Sequence, residues 1–134
     1  MELPAPLVTR ARRARVGLEV GAGTRFDTAL ALAGANPAAG WMVSDIDPRV
    51  LLAPSALQAR LLDVTRPDLD GLEGVDLVYG VRLPEELQLS AARLARALHA
   101  DLALRPLKDE WADLRDVFRT HAVWPDGWRF FPIE

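Results

Sequence analysis

A five-residue apolar run that stops on paired glycines constrains this chain most. Val16-Gly-Leu-Glu-Val20 leads directly into Gly21-Ala-Gly23. The run is too short for a helix, and the glycines bound it as a buried strand meeting a tight turn. Phe26, Ala29, Leu30 and Ala33 then form an apolar face at helical spacing, which Gly34 and Pro37 end. Thr24 stands where its hydroxyl would cap that helix, with Asp27 three residues on in the manner of a capping box.

The alternation repeats along the chain. Trp41-Met-Val43 reads as a second strand, stopping at Ser44-Asp-Ile-Asp-Pro48. Val50 to Leu57 carries no single pattern, because Pro54 interrupts it. Leu61-Leu62 reads as a third short strand ending at Asp63, and Val75-Asp-Leu-Val-Tyr79 as a fourth ending near Gly80. Pro84, Glu85 and Glu86 open a second long helix, and Leu87, Ala91, Leu94, Ala95 and Leu98 line one face of it. Asp101 to Leu104 is a fifth strand, stopped by Pro106. Strands that alternate with helices imply right-handed parallel crossovers and a sheet covered on both faces. The tail differs: Leu114 to Trp124 and Trp128 to Ile133 flank the turn signal Pro125-Asp-Gly127, which predicts a β-hairpin.

The expected fold is therefore α/β, a three-layer, Rossmann-like, mostly parallel sheet with a C-terminal β-hairpin. Its 134 residues suit one domain. Residues 1–15 form a flexible or helical arm, 16–107 a nucleoside-binding core, and 108–134 the hairpin.

Composition narrows the function classes. Acids number 19 against 16 Lys and Arg, a formal charge of −3, which argues against a strongly basic nucleic-acid binder. With no cysteine, disulfides, thiolate metal sites and a cysteine nucleophile are excluded. No apolar stretch approaches the ~18–20 residues of a membrane span, and the start lacks the pattern of a signal peptide, so a cytoplasmic setting with no membrane partner is expected.

In an open parallel sheet, ligands sit at the carboxyl ends of the strands. Four points fall there: Glu19–Gly23, Asp45–Asp47, Asp63 and Tyr79–Arg82. The glycines let the backbone turn and approach a ligand, and the helix start beyond offers free amide groups. Asp45 lies 22 residues past Gly23, near the spacing at which an acid reaches a ribose diol. Each acid also has a plain reading as a turn or cap residue; together, in this strand–helix pattern, they point to a nucleoside ligand. Phe26 occupies the position where a dinucleotide fingerprint wants a small residue, which argues against NAD or FAD, and no P-loop is present. Tyr79 and Arg82 are the candidates for substrate contact, Arg82 as a bidentate grip on a carboxylate or phosphate. Lone histidines at 99 and 121 lack metal-site spacing, so no metal is expected.

Leu18-Glu-Val-Gly-Ala-Gly23 resembles the first motif of class I S-adenosylmethionine-dependent methyltransferases. Val43-Ser-Asp-Ile-Asp-Pro48 is similar to their second-strand acidic motif, and Leu62-Asp63 to the acid after strand three. Glu19-Val-Gly-Ala-Gly-Thr-Arg-Phe-Asp27, Asp63-Val-Thr-Arg-Pro-Asp68, Asp76-Leu-Val-Tyr79 with Arg82, and Ala100-Asp-Leu with Arg105-Pro-Leu107 more closely resemble a short, uncharacterised, mainly archaeal family of Rossmann-like proteins. That resemblance covers roughly residues 16–107.

The resemblance implies S-adenosylmethionine as cofactor. Glu19 and the turn Gly21, Ala22, Gly23 would contact its methionine part, and Asp45, with Ile46 beside it, would hold the ribose. Asp63 would face the adenine amino group, and Val64 would pack on the ring. The Asn/Asp-Pro-Pro-aromatic motif of amino-group methyltransferases is missing after strand four; Tyr79-Gly-Val-Arg-Leu-Pro84 stands in its place, without an evident general base. Two readings remain open: a small S-adenosylmethionine-binding, methyltransferase-like protein, and a non-catalytic nucleoside-binding or regulatory module. The aromatic tail (Trp111, Trp124, Trp128, Phe130, Phe131) is expected either to join two copies through the hairpin in a homodimer or to pack on its own sheet.

Overall fold

A computed structural model describes residues 3–134, so the first two residues of the expected arm lie outside the described residues. Five parallel strands come first: β1 (Val16–Glu19), β2 (Gly40–Asp45), β3 (Gln58–Leu61), β4 (Leu77–Leu83) and β5 (Asp101–Pro106). The antiparallel pair β6 (Ala122–Val123) and β7 (Arg129–Phe131) completes one sheet in the order β3-β2-β1-β4-β5-β7-β6. Neighbouring connections reverse direction between β1 and β4, so a topological switch point lies at their carboxyl ends.

Helices cover both faces, as strand burial demands. Most core strand positions are buried, because parallel strands face a layer on either side. The helices α1 (Ala5–Ala11) and α2 (Asp27–Ala35) share one apolar cluster with Trp41, Val43, Leu77, Tyr79 and Trp128. The other face joins Leu18, Val20, Leu102 and Leu104 to α3 (Glu85–Leu98) and to the tail residues Leu114, Phe118 and Phe131. The seven-stranded, mostly parallel sheet between helical layers is the expected α/β architecture.

Several boundaries differ from the sequence reading. Thr24 does not cap α2; the helix starts at Asp27 behind Phe26, without a side-chain cap, because the Gly21–Gly23 turn runs on for one more loop. β3 lies earlier than Leu61-Leu62, pairing Met42 with Gln58 and Asp45 with Leu61. β4 does not end at Gly80 but runs to Leu83, with a register shift between Val81 and Leu83. The arm is helical from Ala5 and fixed: Arg10 donates to Asp101 Oδ2 at 2.8 Å and to the Asp76 carbonyl at 2.9 Å. The hairpin is shorter than expected, two residues against three around Pro125–Gly127.

Candidate functional site

Two turns build the site. After β1 the chain passes Gly21 at φ 70° and Gly23 at φ 58°, conformations that cost an L side chain energy and glycine little. After β2, Asp45 braces that turn: its Oδ2 accepts the Gly23 amide at 2.8 Å and its Oδ1 the Asp47 amide at 2.9 Å. The interval of 22 residues is thus a direct contact between two strand ends. Each carboxylate oxygen has accepted one N–H and retains capacity for another donor.

A cavity of about 500 Å³ opens beside these turns. Gly21, Asp45, Ile46, Asp63 and Val64 all line it. Ile46 is 71% exposed, an apolar side chain left facing the opening. Asp63 accepts the Thr65 amide and hydroxyl through Oδ1, and these bonds hold its carboxyl below the usual range, so it stays ionised at neutral pH. A second, more polar cavity of about 300 Å³ adjoins it and is lined by Glu19, Ala22, Gly23, Asp27 and Arg82, among others. Gly21 and Arg82 border both. Arg82 sits at the β4 irregularity with φ 55°, which no feature of the sequence announces.

The expected cofactor residues therefore converge on one pair of adjoining cavities. Of the two substrate candidates, Arg82 reaches them and Tyr79 does not. Because β4 continues past Gly80, Tyr79 lies in mid-strand, fully buried, its ring edge-on to Trp41. Its hydroxyl lies beside Glu19 without closing a well-formed hydrogen bond. Glu19 itself is 2% exposed, and burial, with Asp27 nearby, pushes its carboxyl up to about 8 against the pull of Arg82. Sequence reasoning passed over Asp27 and Arg49 as site residues; Arg49 forms a fork on the Asp47 carboxylate, an arrangement signalled only by the Asp-x-Arg spacing. Other acids of the family-like segments lie at the opposite edge. Asp76 accepts the amides of Arg15 and Val16, and Asp101 accepts the Arg10 guanidinium Nε–H and, at 2.7 Å, the Ile133 amide, so both tie the termini to the sheet.

Residues 1–122 match the uncharacterised protein family UPF0146. This chain belongs to the UPF0146 family. A UPF0146 protein of Halobacterium salinarum is 35% identical over 107 residues, 80% of this chain and 79% of that relative. The match to a UPF0146 protein of Archaeoglobus fulgidus, 34% identical over 65 residues, spans only half of the relative's length. Among solved structures, a SAM-dependent methyltransferase from Aquifex aeolicus has a TM-score of 0.66 at 13% identity, with 96% of this chain and 87% of that one covered. TrmN from Thermus thermophilus has a TM-score of 0.62 at 19% identity, over 95% of this chain and 46% of that one. PigF, solved with SAH, has a TM-score of 0.53 at 20% identity, and this chain covers 75% of its own length and only 36% of PigF. At such identities the likeness establishes the fold: the UPF0146 chain has the Rossmann-like fold of these methyltransferases. Among the described residues, no helix is long and apolar enough to cross a membrane.

Proposed function

We propose that this UPF0146 protein binds S-adenosylmethionine across the two adjoining cavities. The observation that carries the reading is convergence: the Gly21–Gly23 turn, Asp45 and Asp63, distant in the chain, border two adjoining cavities at the switch point. The residues suit the group. Asp45 keeps acceptor capacity for a ribose diol, and Asp63 leaves Oδ2 for an amino group. Ile46 and Val64 offer apolar surface to a flat ring. Glu19 and Asp27 set carboxyl groups against a ligand that carries cationic groups, and Arg82 stands ready for a carboxylate. The bound cofactor would supply an activated methyl group; the chain's own part is to hold it and exclude water.

Calorimetric titration with S-adenosylmethionine, S-adenosylhomocysteine and NAD tests this. The first two should bind and NAD should not. Asp45→Ala removes both the diol acceptor and the Gly23 brace, and should weaken binding at least tenfold, about 1.4 kcal/mol. NAD binding, or no binding of the first two, would overturn the reading. The alternative, a module that binds without transferring, is favoured by one observation: β4 leaves the sheet through Arg82-Leu83-Pro84, with no acid or amide there to receive an amino acceptor. Tight binding without methyl transfer to any offered acceptor would support it.

A further inference from the structure

The polar cavity has an unusual floor. Glu19 Oε1 is buried and, among the described residues, has no hydrogen-bond partner; the Tyr79 hydroxyl is in the same condition. Glu19, the last residue of β1, lines the cavity, and Tyr79, its register partner on β4, is buried beside it and outside the cavity lining. A buried carboxylate left without donors is strongly disfavoured in its charged form. The charged groups around it do not resolve the problem. Burial is the largest effect on it; Asp27, at the start of α2, adds to it, and the opposing pull of Arg82 on β4 is smaller than either. Arg49 is held by Asp47, and Arg25 is exposed at the cavity wall. Thr24 and Thr28 also line the cavity, Leu107 closes its β5 side, and none of the three carries charge.

We propose that Glu19, on the floor of the polar cavity, and Tyr79, buried beneath it, form a proton-holding pair in which Glu19 takes the cationic group of a ligand and releases one proton as it does so. The step balances simply. The Glu19 O–H bond breaks, its proton leaves to solvent through the open cavity, and the carboxylate pairs with the incoming cation. Tyr79 keeps its proton throughout, since burial and the adjacent Glu19 push its hydroxyl well up. Its role is positioning: once Glu19 is charged, the phenol can turn its O–H to the carboxylate. A cation should therefore bind more tightly as pH rises, up to tenfold per pH unit, until Glu19 is already ionised.

This rests on the proposed S-adenosylmethionine reading for its ligand but not for its proton. Carbon-detected NMR of the ligand-free protein follows the Glu19 carboxyl directly; a midpoint near 8 is expected, and one in the ordinary carboxylate range overturns the proposal. Calorimetry of S-adenosylmethionine binding in buffers of different ionisation enthalpy counts protons. About one should be released at pH 6.5 and almost none at pH 9.5, with Glu19→Gln abolishing the release. Tyr79→Phe should leave the fold intact and raise the Glu19 midpoint further, because the charged form loses its donor; an unchanged midpoint overturns the role of Tyr79. Binding with no proton released would overturn the coupling while sparing the function. No binding beside a midpoint near 8 would overturn the function and the ligand half of the pair together.

Discussion

At the residue scale, Glu19 ties stability to pH in a direction opposite to most acids. Its carboxyl sits at about 8 when folded against an ordinary 4.5, raised first by burial. The folded protein thus holds a proton that the unfolded chain gives up between those values. Stability from this group is full below pH 4.5, falls as pH rises, and is lost above about 8. The whole effect has a ceiling of about 5 kcal/mol. Urea unfolding of the wild type should show stability declining from pH 5 to 9, and Glu19→Gln should flatten that decline; parallel curves would show that Glu19 ionises normally. The residue scale also marks what could be read beforehand. A strand-end Glu followed by Gly-x-Gly was visible as a site, because each feature follows from local chemistry. Its protonation was not, because that depends first on burial and then on Asp27, and only the fold buries the one and brings the other alongside.

At the element scale, the sequence showed five strands in order and misplaced their ends. Gly80 illustrates why. A glycine after an apolar run reads as a stop, yet here it continues β4: a Cβ would meet Leu104 and Leu83 at 3.3 Å and Val20 at 3.4 Å, so the residue marks a close approach instead. That error put Tyr79 at the strand's edge and in the site. β3 moved for the opposite reason, since its polar Gln58 and Arg60 hid an edge strand that needs burial on few sides. The arm carried a different ambiguity. Arg12, Arg13 and Arg15 are exposed, as charged side chains on an arm should be, but Arg10 is 7% exposed and joins α1 to β5 and the β4 approach through Asp101 and the Asp76 carbonyl. Arg10→Met keeps much of the stem's packing and strands the Asp101 carboxylate with the Ile133 amide alone. A loss of about 3 kcal/mol is expected, read as a lower urea midpoint at unchanged slope. Ligand affinity should not change, because these contacts lie at the edge of the sheet opposite the cavities.

At the scale of the whole molecule, the question is what ends the sheet. One end is β3 and the other is β6. The aromatic tail was expected either to join two copies or to pack at home, and much of it is used internally. Trp128 is fully buried beneath the sheet with Tyr79 and Trp41, while Phe131 and Phe118 close the face under α3. Trp124 and Phe130 stack at 4.6 Å against each other, and Arg129 lies 4.2 Å over the Trp111 ring. What a second copy could still use is the open side of β6, two exposed residues with Val123 at 75%. A dimer through the hairpin would therefore pair β6 with β6 about a twofold axis, using the backbone N–H and C=O groups that the sheet edge leaves unpaired. Light scattering at micromolar concentration decides it. That contact requires twice the 14.7 kDa mass for the wild type and a single mass for Val123→Lys, whose charge would sit at the axis facing its own copy. A single mass for both would assign the aromatic residues entirely to the domain's own walls, and the cavities would then be complete within one chain.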